Sequence, residues 1–250
     1  MTLDGSTRIA VVPAAAARMA RALATAAMCL LVGGCWNAVE VHCPRCTIVS
    51  ERAPSMPPVR PDTRAIVILV HGAFGFGEEW RPVVDAVRAR PHTALAAFAW
   101  GGPWTRKPSL AAVALRRFLQ QTIDQAPPRA RVLVIAHSAG GALVSYAGEH
   151  LRARPGVPVE ILSIAAPEGM NLSPYAPERE VDTPLGFAVG GKQEPEGPIA
   201  PGVEYIEYAT ADPPKHPPPA RAGVRRVYLG ARVGHNESVR LAALPVIAAL

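Results

Sequence analysis

The stretch RVLVIAHSAGGALVSYAGEHLR at residues 131–152 indicates the fold class. Its first part, Arg131–Ala136, is a continuous apolar run rich in β-branched residues, which is typical of a strand buried on both faces of a parallel sheet. Its last part, Ala142–Arg152, predicts a helix. The residues between them, His137–Gly141, leave room only for a sharp turn. Such a turn exposes the hydroxyl of Ser138 at the N-terminus of a helix, where backbone N–H groups favour developing negative charge.

The alternation of strands and helices extends over residues 62–250. The run AIVILV at 65–70 predicts a second fully buried strand, and an apolar stripe in 110–124 predicts an amphipathic helix. Further strands are predicted at 93–100, 159–165, 203–209 and 225–229, and further helices at 78–90 and 237–250. This β-α-β-α order predicts an α/β fold with a mostly parallel central sheet and helices on both faces.

The residues two positions before and after the serine, Ala136 and Gly140, are both small. A strand and a helix approach closely at such a strained turn only when these flanking side chains are small. The pattern AHSAG at 136–140 resembles the nucleophile elbow, Gly-x-Ser-x-Gly, of the α/β-hydrolase superfamily, with alanine in place of the first glycine. In that context Ser138 is a candidate nucleophile.

Two further motifs support the same resemblance. Residues 71–75 (HGAFG) follow the strand at 65–70 and are similar to the His-Gly oxyanion loop of lipases and esterases. Residues 233–236 (VGHN) resemble the histidine loop of the superfamily. The three motifs occur in the order that the superfamily shows, and the resemblance covers residues 62–250. It implies an α/β-hydrolase fold without a large cap domain.

The resemblance also implies a serine hydrolase that cleaves carboxylic esters through an acyl-enzyme. By it, Ser138 is the nucleophile, His235 is the general base, and the N–H groups of Ala73 and Ala139 form the oxyanion hole. Of the seven histidines, His235 alone lies just after the last predicted strand and just before the last helix, as the order Ser…Asp/Glu…His requires. We expect His71 to shape the oxyanion loop and not to transfer protons.

The acid of the triad lies between Ser138 and His235 in that chain order. Asp212 directly follows the predicted strand VEYIEYA, where the superfamily places its acid. Asp182, in an irregular segment, and Glu168, just after the preceding strand, are the alternatives. We assign the role to Asp212 and keep the other two open.

Other activities fit the same residues. A thioesterase, an amidase or a phospholipase uses the same triad, and a non-catalytic binding or scaffold protein on this fold is the alternative from another class. No carboxylate and histidine cluster has metal-ligand spacing and there is no Gly-rich phosphate loop, so the sequence predicts neither a metal nor a cofactor. We expect a small-molecule or lipid ester as substrate. The segment 166–202, rich in proline and glycine, is either a lid over the site or a plain long loop.

The N-terminal residues 1–34 have the features of an export leader. Three arginines precede an apolar run at 22–32 that is too short to span a membrane as a mature helix. Residues 32–35 (VGGC) resemble the lipobox of bacterial lipoproteins. The resemblance implies cleavage before Cys35, lipid on its thiol, and a membrane-anchored lipoprotein of the cell envelope that faces the periplasm or the exterior. A plain secretory signal peptide with another cleavage site is the alternative.

Residues 35–61 are interpreted as a lipidated cysteine followed by a Pro-rich tether, with the catalytic domain at 62–250. Within the tether, two residues separate Cys43 from Cys46, and in an oxidising envelope a local disulfide is the simplest interpretation. A zinc site would need two more ligands, and only His42 lies beside the pair.

The composition excludes several classes of protein. Of the 250 residues, 49% are hydrophobic and 18% are charged, which excludes an extended disordered chain. No apolar run reaches about 18 residues, so no ordinary membrane-spanning helix is predicted. The net charge is +6, but the basic residues are scattered along the chain, and we predict no nucleic-acid partner.

Overall fold

The computed structural model describes residues 46–51, 53–56, 59–72, 75–100, 108–166, 197–214 and 220–250. The strands in these ranges are β1 (Thr47–Ser50), β2 (Ala65–Val70), β3 (Thr93–Ala99), β4 (Arg131–His137), β5 (Val159–Ile164), β6 (Val203–Ala209) and β7 (Val224–Tyr228). The helices are α1 (Arg81–Arg88), α2 (Pro108–Gln125), α3 (Ala139–His150) and α4 (Glu237–Ala248), with a 3-10 turn at Glu78–Trp80 before α1. Strands and helices thus alternate as the sequence predicts.

The strands form one sheet in the order β1-β3-β2-β4-β5-β6-β7, and every neighbouring pair is parallel. The central strands β2, β4 and β5 are buried along almost their whole length, which explains their continuous apolar sequences. Because all seven strands are parallel, their carboxyl ends meet at one edge of the sheet. The prediction of a mostly parallel α/β sheet is confirmed.

Helices cover both faces of the sheet. Along β2, Ile66, Ile68 and Val70 belong to the apolar cluster that includes residues of α2 and α3, whereas Val67 and Leu69 belong to the cluster that includes α1 and α4. Successive side chains of a strand point to opposite faces, so each strand of this kind supports two apolar layers. None of the helices in the described ranges is long and apolar enough to cross a membrane.

The first strand corrects the predicted domain boundary. β1 lies inside the segment 35–61 that the sequence analysis interprets as a tether, yet it pairs in parallel with β3 and buries Val49. The sheet therefore begins before residue 62. β1 has only four residues, of which one is buried, and so short a stretch gives no periodic signal in the sequence. Its pairing depends on β3, which is distant in sequence.

A second difference concerns the start of α3. The sequence predicts this helix from Ala142, but it begins at Ala139, directly after Ser138. The first turn contains Gly140 and Gly141. Glycine in a helix destabilises it by about 1 kcal/mol relative to alanine, so helix propensity does not predict a helix at these residues. The consequence for the site is that only one residue, Ser138, separates β4 from α3.

Candidate active site

Ser138 occupies the apex between β4 and α3, at the carboxyl edge of the central part of the sheet. Its backbone has φ 54° and ψ −127°, a conformation that non-glycine residues rarely adopt. Its N–H donates to the Ile164 carbonyl at the end of β5, and its own carbonyl accepts the N–H of Gly141. Such a conformation costs about 1–3 kcal/mol and is held only by the surrounding structure.

Three glycines make room for this apex. A Cβ atom on Gly72 would lie 2.9 Å from the Cβ atom of Ser138. A Cβ atom on Gly140 would lie 2.5 Å from the carbonyl oxygen of His71, and one on Gly141 would lie 2.6 Å from the Cβ atom of Ala166. Real Cβ atoms do not approach so closely, so the small residue predicted at position 140 is sterically required. Gly72 and Gly141 meet the same demand, which the sequence analysis did not identify.

His71 is a buried, fully bonded residue at the end of β2. Its Nδ1–H donates to the Gly72 carbonyl over 2.6 Å, and its Nε2 accepts the backbone N–H of Trp100 over 3.2 Å. The indole N–H of Trp100 also donates to the His71 carbonyl, and the two rings stack 5.5 Å apart. Burial lowers the pKa of His71 to about 4, although the bond to Gly72 opposes that effect. The ring is therefore neutral, with both nitrogens occupied.

These bonds hold the backbone at the end of β2, and the role of His71 in shaping an oxyanion loop stays a prediction. Ala73, one of the two predicted oxyanion donors, lies outside the described residues. The other, Ala139, is buried and is the first residue of α3. An N–H group in the first turn of a helix has no acceptor within that helix, and the role of Ala139 as an oxyanion donor stays a prediction.

His235 lies in the loop between β7 and α4, and its side chain is exposed. Two hydrogen bonds to the backbone of this residue hold the loop. Its carbonyl oxygen accepts the Nε2–H of His137 over 3.0 Å and the hydroxyl of Ser238 over 2.5 Å. Among the described residues, no hydrogen bond joins the imidazole of His235 to Ser138 or to Asp212. The structure thus leaves the His235 side chain available at the carboxyl edge.

Asp212 follows β6 in the described part of the chain, and its carboxylate is exposed. Its Oδ1 accepts the backbone N–H of Ala231 over 3.0 Å, so the carboxylate binds the loop that carries His235 and not its imidazole. The alternatives, Asp182 and Glu168, lie outside the described residues. The assignment of the acid remains a prediction.

His137 has contacts in the folded chain that the sequence does not predict. It is buried, with its ring 4.5 Å from that of His235 and edge-on to Trp80 at 6.3 Å. Burial, and secondarily the nearby His235, lower the pKa of His137 to about 4, against the opposing effect of its bond to the His235 carbonyl. The neutral ring therefore bonds to a loop 98 residues further along the chain. The one sequence signal for such contacts is that His137 directly precedes Ser138.

The remaining predicted sites concern cysteines and metals. Cys46 forms a disulfide bond, and the other three cysteines, Cys29, Cys35 and Cys43, all lie outside the described residues. The pairing of Cys46 with Cys43 and the lipidation of Cys35 therefore stay predictions. Within the described ranges, no group of three or more His, Cys, Asp or Glu side chains has an arrangement that could hold a metal ion.

The sequence model of the alpha/beta hydrolase family matches residues 67–248. That range includes Ser138, Asp212 and His235 and runs from within β2 to the last residue of α4. No curated protein sequence matches the chain.

The solved structures that the chain resembles include two at low sequence identity. One is RedJ with a PEG molecule bound in its active site, at 13% identity and a TM-score of 0.47, covering 79% of this chain and 94% of that one. The other is esterase PE8, at 15% identity and a TM-score of 0.39, covering 78% of this chain and 97% of that one.

Proposed function

The chain belongs to the alpha/beta hydrolase family, and we propose that it is a serine hydrolase that cleaves carboxylic esters. The observation that carries the proposal is the backbone of Ser138, with φ 54° between β4 and the N-terminus of α3. A strained residue at such a position persists only because the structure around it enforces it, and strain of this kind is concentrated at active sites. The apex presents the hydroxyl beside the N-terminus of a helix, where backbone N–H groups favour developing negative charge.

In the proposed reaction, the Oγ of Ser138 attacks the ester carbonyl carbon while the imidazole of His235 takes its proton. The N–H groups of Ala73 and Ala139 stabilise the oxyanion of the tetrahedral intermediate, each contributing about 3 kcal/mol to lowering the barrier. The imidazolium then protonates the leaving alcohol as the C–O bond breaks. A water molecule, activated by His235, hydrolyses the acyl-enzyme and restores the serine hydroxyl.

The choice of His235 as base follows from the state of the other histidines near the elbow. His71 has both ring nitrogens bonded, and the Nε2–H of His137 is bonded to a carbonyl oxygen. Both have a pKa lowered to about 4, which makes them poor bases near pH 7. The exposed imidazole of His235, in contact with the ring of His137, keeps its nitrogens free of bonds to the described residues.

Asp212 is proposed as the acid that orients His235, since it follows β6 and its carboxylate contacts the same loop at Ala231. We expect the carboxylate to bind the imidazole in the substrate complex, because catalytic hydrogen bonds in ligand-free enzymes are often long and tighten on binding.

Active-site labelling tests the proposal directly. A fluorophosphonate probe should label the wild-type chain at Ser138 and leave Ser138→Ala unlabelled, and turnover of p-nitrophenyl acyl esters should fall by at least about 10³-fold in the variant. Ser55→Ala, at an exposed serine outside the strands and helices, is the matched control and should label like the wild type. Equal ester turnover by wild type and Ser138→Ala would overturn the proposal. A panel of esters, thioesters, amides and phospholipids identifies the bond cleaved.

We also propose that the protein is exported and anchored to the bacterial envelope through lipid on Cys35. The support is the VGGC sequence at 32–35 after a short apolar run. Expression in a bacterial host with an alkyne-tagged fatty acid should label the wild type and not Cys35→Ser. Recovery of both chains from the soluble fraction without label would contradict the anchor while leaving the hydrolase assignment untouched.

A further inference from the structure

We propose that His137 is a positioning residue for the general base. Its hydrogen bond to the backbone carbonyl of His235 holds that residue near the end of the strand that precedes the nucleophile. This inference rests on the proposed function of Ser138 and His235. The bond that carries it runs from the Nε2–H of His137 to the carbonyl oxygen of His235 over 3.0 Å.

The geometry gives a short connection between nucleophile and base. His137 is the last residue of β4 and Ser138 is the next residue in the chain. His235, in contrast, lies in a loop that follows β7, at the far edge of the sheet order. Without the bond to His137, the position of His235 relative to Ser138 would depend on the packing of β5 and β6, the two strands that lie between β4 and β7. With it, one side chain links the two residues.

The carbonyl of His235 is held by two donors from different elements. His137 approaches from the end of β4, and the Ser238 hydroxyl approaches over 2.5 Å from the first turn of α4. Ser238 is completely buried, and its N–H also donates to Gly234. One carbonyl oxygen has two lone pairs, so the two donors occupy both. The carbonyl is therefore fixed in direction as well as in distance.

The surroundings of His137 suit a fixed donor. Its side chain is buried, its ring lies edge-on to Trp80, and the His235 ring lies 4.5 Å from it with a tilt of 44°. A carbonyl accepts only from a protonated nitrogen, so the neutral ring carries its hydrogen on Nε2. A positive charge on His137 would oppose the imidazolium that His235 forms during the reaction, and burial of His137 disfavours that charge.

Three substitutions separate this role from simple packing. His137→Phe keeps a ring of similar size and removes the donor, His137→Gln keeps an N–H at a similar reach, and Ser238→Ala removes the second donor. We expect kcat to fall about 10-fold in His137→Phe with KM within about twofold, as for the loss of one hydrogen bond. His137→Gln should recover most of kcat. His150→Phe, an exposed histidine at the end of α3, is the matched control and should keep the wild-type kcat.

The double variant His137→Phe/Ser238→Ala should lose more activity than the product of the two single losses. Each single variant leaves the carbonyl one partner, whereas the double variant leaves it none. If the loss of activity in the double variant equals the product of the two single losses, the two donors act independently. The inference that they hold the His235 carbonyl together would then be wrong.

A measurement that needs no turnover keeps the inference separate from the proposed function. Hydrogen exchange of the peptide that spans residues 229–240 should be about 10-fold faster in His137→Phe and restored in His137→Gln, because the loop loses and then regains its anchor. Unchanged exchange in His137→Phe overturns the inference whatever the activity. If exchange is faster in His137→Phe but the wild-type protein does not label at Ser138, the role of the His137 bond in holding the loop is supported and the proposed serine hydrolase is rejected. A labelled, active wild type with an unchanged kcat in His137→Phe rejects the positioning role alone.

Discussion

Gly72 faces Ser138 so closely that a Cβ atom at position 72 would lie 2.9 Å from the Cβ atom of the serine and 3.4 Å from its Oγ. The end of β2 and the apex after β4 therefore share one small space, in which a hydrogen atom fits and a methyl group does not. The carbonyl oxygen of Gly72 also accepts a hydrogen bond from the His71 side chain, and this bond helps to hold the glycine in place. The position of the Ser138 side chain therefore depends on the absence of a side chain at position 72.

Gly72→Ala should impair the reaction more than it impairs the fold. The added methyl group displaces the serine side chain, and a misplacement of about 1 Å costs about 100-fold in rate. We expect kcat/KM for p-nitrophenyl acetate to fall by about that factor, with the thermal unfolding midpoint lowered only modestly. Gly77→Ala is the matched control, because the methyl group there meets only the flexible end of the Glu79 side chain. A wild-type kcat/KM in Gly72→Ala would contradict the close packing.

Gly140→Ala should act chiefly on stability. A Cβ atom there would lie 2.5 Å from the carbonyl oxygen of His71 and 2.7 Å from that of Val70, which are backbone atoms at the end of a central strand. Backbone atoms of a central strand cannot move aside as the end of a flexible side chain can. Overpacking of this kind lowers the free energy of unfolding by about 1–3 kcal/mol. Urea denaturation should show that loss in Gly140→Ala. A free energy of unfolding equal to that of the wild type would mean that α3 can move away from β2.

The elements that the sequence predicted are those whose signals are local. The strands at 65–70 and 131–136 are long apolar runs because they are buried on both faces, and the elbow requires small residues at fixed distances from Ser138. β1 was missed because four residues with one buried side chain carry no periodicity. The bond from His137 to the His235 carbonyl was missed because it joins residues that only the folded sheet brings together.

Asp212→Asn tests the acid of the triad without disturbing the loop. Asparagine keeps an Oδ1 that can accept the Ala231 N–H, but it loses the charge that stabilises an imidazolium. If Asp212 is the acid, kcat should fall by about 10⁴-fold while the unfolding midpoint stays near the wild-type value. Asp212→Ala should lower both, since it also removes the bond to the loop.

The opposite outcome would identify another acid. If Asp212→Asn keeps full activity and either Asp182→Asn or Glu168→Gln loses it, the residue that loses activity is the acid. Asp212 would then serve only to hold the loop through Ala231. Asp62→Asn, at an exposed surface carboxylate beside His92, is the matched control and should retain the wild-type kcat.

Disulfide mapping tests two predictions about the N-terminal region at once. Cys46 is bonded in a disulfide, and its partner is one of Cys29, Cys35 and Cys43. If Cys35 carries lipid on its thiol, it is not available for a disulfide, and cleavage of the leader removes Cys29. Mass spectrometry of a non-reduced digest of the exported protein should therefore show Cys43 linked to Cys46. A peptide linking Cys35 to Cys46 would contradict both the lipid anchor and the local pairing.

Two histidines that are buried in the described part of the chain, His71 and His137, predict how stability depends on pH. In an unfolded chain the pKa of a histidine is about 6.5, whereas burial lowers the pKa of His71 and His137 to about 4. Between these values the unfolded state binds protons that the folded state does not. The contribution to stability is therefore fully present above about pH 6.5 and is lost as the pH falls toward 4, by about 3 kcal/mol for each histidine.

Urea denaturation between pH 7 and pH 5.5 measures this effect before the carboxylates begin to titrate. The free energy of unfolding should decrease with falling pH, and the slope should be about halved in His137→Gln, because one of the two buried imidazoles is then absent. His150→Gln should keep the wild-type slope, since the His150 ring is exposed. A slope that His137→Gln does not change would mean that His137 takes up protons equally in the folded and unfolded chains. The neutral donor assigned to its Nε2 would then be wrong as well.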